Sequence, residues 1–345
     1  MVLRIVKNTA IAASLVALSG CTGVFESVDN RGNVPIPKKL LTSMKAKGMT
    51  PRSPIMIRVF KKENELEIWK RKTDTGRYGL LATYEICKWS GKLGPKYKEG
   101  DKQAPEGFYT VNKWQMNPNS EYHLAFNMGF PNRFDRAYGR TGSHLMIHGA
   151  CSSAGCYSMT DEYIEDIYSL AREALKGGQK SFQVQAFPFR MTPENMAAYR
   201  DHKHFKFWTM LKRGYDHFQI TRVPPKVNVC EKRYVFNTTA AGPYNATAQC
   251  PAMTMPATLA TAFVAKQKRD AKAFESLVAK QEKRPVQSVT GYDAATLLAG
   301  ISTETAAKSA VTGAAKPAPA RASEKAQSSK TSAKKTIEGA LKPAG

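Results

Sequence analysis

The sequence predicts an α+β domain, mostly β with a few packed helices, followed by a disordered basic tail. Three observations carry this. Alternating apolar runs bounded by turn residues dominate the first half, and helical patterns come after them instead of alternating with them, which argues against a doubly wound sheet. All four tryptophans (Trp69, Trp89, Trp114 and Trp208) fall between 51 and 228. Residues 301–345 are rich in Ala, Lys, Ser and Pro, a composition that cannot bury a core.

The elements follow in order. Ile55–Phe60 and Glu65–Arg71 alternate around Lys62-Glu63-Asn64, which predicts a hairpin. Residues 80–89 predict a further strand, and 107–111 and 144–148 shorter ones. Asp161–Lys176 predicts the clearest helix: Thr160 or Asp161 caps it, Ile164, Ile167, Leu170, Ala171 and Leu175 make one apolar face, and Gly177-Gly178 ends it. Ser181–Phe187 predicts a strand, and 193–199 and 204–211 predict helices. A weaker period through Leu259, Phe263, Phe274, Leu277 and Val278 predicts one amphipathic helix over 256–285.

The N-terminus sets the compartment. Arg4 and Lys7 precede a short apolar run that ends in Leu18-Ser19-Gly20-Cys21. The run is too short to span a bilayer and reads as an export signal. Its end is similar to a bacterial lipobox, which makes Cys21 the expected lipidation site and anchor. Thr22, in place of Asp, points to the outer membrane by resemblance to Gram-negative sorting rules, with the domain in the periplasm. The expected organisation is a signal over 1–20, a polar tether over 21–50, a catalytic-type domain over 51–235, an extension over 236–300 and the tail over 301–345. The net charge of +24 would suit nucleic acid, but export excludes that partner and favours anionic glycan, acidic stem peptides or lipid headgroups.

Six cysteines occur: Cys21, Cys87, Cys151, Cys156, Cys230 and Cys250. With Cys21 lipidated, an odd number remains in an oxidising compartment, so at least one thiol is unpaired. Cys230 and Cys250 flank a segment that a disulfide would staple, and Cys87 with Cys151 is a candidate second pair, although sequence does not settle connectivity. The Cys-x4-Cys spacing with a histidine three before it is not that of a structural zinc site.

The chemistry concentrates in His148-Gly149-Ala150-Cys151-Ser152-Ser153-Ala154-Gly155-Cys156-Tyr157. An imidazole near a thiol can take its proton, and small residues let backbone N–H groups approach an oxyanion. On spacing alone, either Cys151 or Cys156 can be the nucleophile. His144 would share a strand face with His148, in a structural role. Asp135 and Glu106 suit turn roles, and His202, His204 and His217 suit packing.

Several motifs together resemble the L,D-transpeptidase catalytic domain family (YkuD type) and within it the YafK-like murein peptide transpeptidase/amidase subgroup. They are Trp89-Ser90-Gly91-Lys92-Leu93-Gly94-Pro95, Ala104-Pro105-Glu106-Gly107-Phe108-Tyr109, Phe130-Pro131-Asn132, Phe134-Asp135-Arg136, Gly139-Arg140-Thr141-Gly142-Ser143, Met146-Ile147-His148-Gly149 and Gly155-Cys156-Tyr157. The likeness covers about 52–235. It implies that Cys156 is the nucleophile and His148 the base. Ser153 to Gly155 would orient the imidazole and help form the oxyanion hole, and a thiolate–imidazolium pair would attack a diaminopimelyl carbonyl of a peptidoglycan stem peptide. Arg136, Arg140 and Ser143 would contact substrate carboxylates, or else hold their loop. Ala154 and Ser158 depart from the common Ser/Thr-His-Gly-Cys-x-Arg pattern, which leaves the acceptor open. The implied chemistry needs no metal or organic cofactor. The implied partners are stem peptides, the membrane through the N-terminal lipid, and wall-attached envelope proteins. A non-catalytic envelope tether is the reading from a different class.

Overall fold

The computed structural model describes residues 30–283. The expected signal, Cys21 and the 301–345 tail lie outside the described residues. A short 3-10 turn leads into α1 (Lys38–Ala46). Leu40 and Met44, one helical turn apart, are buried with Ile36 and Met49 in the core. Part of the 21–50 segment expected as a polar tether is therefore folded onto the domain, because its few apolar residues are spaced to share a face.

The hairpin forms as expected from β1 (Ile55–Phe60) and β2 (Glu65–Arg71), with Ile55 opposite Lys70 and Phe60 opposite Glu65. The expected strand at 80–89 is instead two pieces, β3 (Tyr78–Glu85) and β4 (Lys88–Trp89), which belong to different sheets. The chain breaks between them where the Ile86 N–H turns to the Asn64 carbonyl (2.7 Å) and Cys87 is drawn into a disulfide. Then come β5 (Gly107–Asn112), β6 (Met116–Ser120), β7 (His123–Asn127), α2 (Arg133–Ala137), β8 (Met146–His148) and β9 (Tyr157–Ser158). His144 lies before β8 with φ 53°, so the face it was expected to share with His148 does not exist.

Helix α3 (Asp161–Lys176) has the expected bounds, with the Thr160 side chain accepting from the Tyr163 N–H. It is followed by β10 (Ser181–Phe187), α4 (Pro193–Ala198) and α5 (Phe205–Thr221). Helix α5 runs well past the expected 211. Its Gly214 packs so closely that an added Cβ would lie 2.5 Å from a ring carbon of Phe236. The chain continues through β11 (Val227–Cys230), β12 (Arg233–Phe236), β13 (Thr239–Ala240), β14 (Met253–Thr254) and α6 (Ala257–Lys283).

Two five-stranded mixed sheets result, ordered β3-β2-β1-β10-β5 and β4-β9-β8-β7-β6. Within them β1 pairs with β10 and β8 with β9 in parallel, and the other pairs are antiparallel. Aliphatic residues of both sheets and α3 form the main core. A second, aromatic core joins β5 and β10 to α5 and the β11–β12 hairpin. Helix α6 lies against α5, where Lys212 and Lys266 share Asp216 and Asp270 and Phe263 stacks on His217 at 4.4 Å. A disulfide joins Cys230 to Cys250 (Cα–Cα 5.1 Å), as expected for the extension.

Candidate active site

Strands β8 and β9 are parallel neighbours, yet only residues 149–156 connect them. Parallel pairs ordinarily need a crossover of a dozen or more residues. This short connection turns by placing Ala150 (φ 60°), Cys151 (φ 44°) and Gly155 (φ 137°) in left-handed or glycine-type backbone. Two ties hold it. Cys151 is disulfide-bonded to Cys87 (Cα–Cα 5.4 Å), and the Ala150 N–H donates to Asp161 Oδ1 at 2.7 Å, at the start of α3. Cys151 is thereby removed from the choice of nucleophile, and Cys156 is the free cysteine among the described residues.

The register sets the two reactive groups. Ile147 opposes Tyr157 and His148 opposes Ser158, so Cys156 sits beside Met146, one step before β9. Met146 and His148 share a strand face by the two-residue alternation, which puts Cys156 and His148 on adjacent strands as diagonal neighbours. His148 is buried at 3 % exposure and its ring packs against Tyr122 at 4.8 Å. Its Nδ1 lies 2.6 Å from the Gly149 carbonyl. A carbonyl only accepts, so Nδ1 carries the proton and Nε2 presents a lone pair, the tautomer a general base needs.

The Cys156 thiol receives the Met146 N–H at 3.4 Å and donates toward the His144 carbonyl at 3.5 Å. Burial raises the thiol pKa, against the opposing Met146 N–H and the charge of Lys96. Burial also lowers the His148 pKa, against the Gly149 bond. Burial thus works against the charged form of each group.

Ser153 shapes the turn before the thiol. Its Oγ accepts from the N–H groups of Gly155 (3.3 Å) and Cys156 (3.1 Å) and donates to the Cys156 carbonyl (2.8 Å). Ser90 Oγ anchors Ser153 at 2.9 Å. The N–H groups expected to face an oxyanion are thus held by a serine hydroxyl in the resting structure.

The other expected site residues separate. Arg140 is buried and paired with Asp135 (2.8 Å), and its guanidinium faces the rings of Phe134 and Phe207. Arg136 is exposed and donates to the Pro131 carbonyl. Exposed Ser143 lies 3.5 Å from Glu99. Glu106 is fully buried and accepts from Lys61, the Gly94 N–H and Trp208, so it clamps the 94–106 loop. Sequence reading passed over Lys96, which is nearly buried, bonds Asp101 at 2.5 Å and lies under Gly142. It also passed over Tyr122, and it quoted Ser90 in a motif without a role. Lys96 and Tyr122 carry no sequence signal, since each reaches the site only through the packing of segments distant in the chain. Among the described residues no cluster of three or more His, Cys, Asp or Glu is placed to hold a metal ion.

The family model for the L,D-transpeptidase catalytic domain (YkuD) matches residues 55–215, a span that contains both sheets and the 148–156 segment. The L,D-transpeptidase-type protein YafK of Escherichia coli strain K12 is 48% identical over 183 residues, which is 53% of this chain and 74% of that protein. YafK of Escherichia coli O157:H7 matches to the same extent. Among solved structures, the helical cell shape determining protein Pgp2 of Campylobacter jejuni is 19% identical, covering 55% of this chain and 79% of that one, at a TM-score of 0.32. The sequence matches define a peptidoglycan-acting enzyme. The chain belongs to the L,D-transpeptidase catalytic domain family.

Proposed function

We propose that the protein forms an acyl-enzyme on Cys156 with diaminopimelate-containing stem peptides and passes the acyl group to an amine, as an L,D-transpeptidase. The observation that carries this is the free thiol of Cys156, at the start of the strand beside that of His148, whose Nδ1–H is held by the Gly149 carbonyl. In this reading His148 Nε2 takes the thiol proton as sulfur attacks the carbonyl, and the imidazolium persists through the tetrahedral intermediate. The Gly155 and Cys156 N–H groups leave the Ser153 hydroxyl for the oxyanion, a stronger acceptor. The protonated histidine then gives its proton to the departing amine. A second amine regenerates the thiol and forms a new peptide bond. Water in its place gives an amidase that releases peptides or attached lipoprotein. Arg136 and Ser143, exposed near the thiol's loop, are the proposed contacts to substrate carboxylates. Lipidation of Cys21 would place the domain in the periplasm, on the inner leaflet of the outer membrane.

Incubation of the purified protein with diaminopimelate-containing muropeptides, followed by mass spectrometry beside Cys156→Ala, tests the reading. Cross-linked dimers that need Cys156 are expected. Trimmed or released peptides mean an amidase, and unchanged muropeptides under reducing conditions defeat the acyl-enzyme and leave the tether reading.

A further inference from the structure

A cavity of about 890 Å³ opens between α2, α5 and β12. Cys156 and His148 do not line it. One wall comes from inside the family match, with Arg140, Lys203, Lys206, Phe207 and Arg213. The facing wall comes from residues beyond 215, with Lys232, Tyr234, Phe236, Met253 and Met255. The chain that follows the matched segment therefore completes this cavity.

Its charge is one-sided. Arg140 is neutralised by Asp135, and Arg233 by Glu231. Among the described residues, Lys203, Lys206, Arg213 and Lys232 have no carboxylate partner. Arg213 faces the ring of Phe263 at 5.4 Å and Lys232 that of Tyr138 at 5.8 Å. Cations gathered around a recess raise the local concentration of anions.

The floor is apolar, built from Phe207, Met210, Tyr234 and Phe236, and its neutral hydroxyls are already engaged. Tyr234 Oη receives Asn132 Nδ2 at 2.7 Å, Thr209 donates to the Phe205 carbonyl at 3.0 Å, and Thr238 bonds Tyr244 at 2.8 Å. A glycan would find few free partners for its own hydroxyls, whereas an apolar side chain fits rings and adaptable methionines. The chain beyond 283 is itself basic and does not complement the walls.

We propose that this cavity binds a short acidic peptide, its carboxylates held by Lys203, Lys206, Arg213 and Lys232 and one apolar side chain seated on the aromatic floor. The site is separate from the thiol but adjoins its loop. Tyr97 and Arg140 line the rim, the Thr141 N–H bonds the Tyr97 carbonyl at 3.1 Å, and the same loop ends at His144 beside Cys156. The proposal does not depend on the reaction assigned to Cys156.

Isothermal titration calorimetry of the full-length protein tests it, with acetyl-Glu-Phe-Glu-Leu, its Gln-substituted and amidated counterpart, and a glucuronate-containing tetrasaccharide as probes. The acidic peptide is expected to bind saturably and equally to Cys156→Ala. Lys206→Glu and Lys232→Glu, both at exposed positions, are each expected to weaken it by about tenfold. Met255→Trp, which fills the recess without changing charge, is expected to weaken it too. Circular dichroism confirms that each variant is folded. No saturable binding, equal binding of the neutral peptide, indifference to both charge reversals, or tighter binding of the saccharide would overturn the proposal.

Discussion

Replacing Cys87 and Cys151 together by serine removes the covalent tie on the 149–156 connection. The two residues are 64 apart in sequence. Closing a loop of that length in the unfolded chain corresponds, on the chain-entropy relation, to about 4 kcal/mol of stability at 25 °C. The Cys230–Cys250 pair closes a loop of only 20 and corresponds to about 3 kcal/mol. For a domain of this size, about 4 kcal/mol lowers the Tm by roughly 10 °C. The first bond also has a local effect that the second lacks. Ala150 and Cys151 sit in left-handed backbone, which costs a non-glycine residue on the order of 1 kcal/mol each and persists only where the surroundings impose it. Without the tie this connection relaxes, and the position of the Cys156 sulfur relaxes with it. Urea unfolding followed by tryptophan fluorescence without reductant gives the stabilities, and acylation of Cys156 per folded molecule gives the local effect. The double serine variant at 87 and 151 is expected to lose more stability than the one at 230 and 250. Its acylation is expected to slow roughly tenfold under conditions where both variants remain folded. The reverse order of stabilities, or undiminished acylation, would refute the reasoning.

Three further outcomes follow from the same geometry. With the thiol pKa raised and the imidazole pKa lowered, iodoacetamide alkylation of Cys156 should climb into the alkaline range, whereas a plateau near neutral pH would reveal a resting ion pair. Arg140→Ala leaves buried Asp135 without its counter-charge and is expected to cost about 3 kcal/mol in urea unfolding, while exposed Arg136→Ala stays within about 0.5 kcal/mol and shows its effect in KM. Burial lowers the pKa of His217 to about 4, so the unfolded chain binds more protons there between pH 4 and the ordinary histidine value near 6.5; stability is complete above that window and falls by up to about 3 kcal/mol as pH drops through it, and His217→Gln should flatten the decline in urea midpoint.

What sequence could and could not reveal follows from the range of the forces involved. Helix α3 was legible to the residue because its cap, its apolar face and its glycine stop all lie within the helix or next to it. Strand β6 was not legible. Its Met116-Asn117-Pro118-Asn119-Ser120 has the composition of a turn, and it is tolerated because β6 is the outer strand of its sheet, where proline need not donate to the ladder. Helix α5 was read only to 211, short of Gly214, which is the point where α5 approaches the rings of Phe108 and Phe236; β12 supplies the second of these from far along the chain. The candidate site divides in the same way. His148 and Cys156 could be named because they lie in one short segment. The direction in which their titration shifts could not, since it depends on burial and on Met146, Gly149 and Lys96. A motif names the atoms that can react. In this chain the fold buries both atoms and holds them on a strained connection that Cys87, just before the neighbouring strand β4, ties in place.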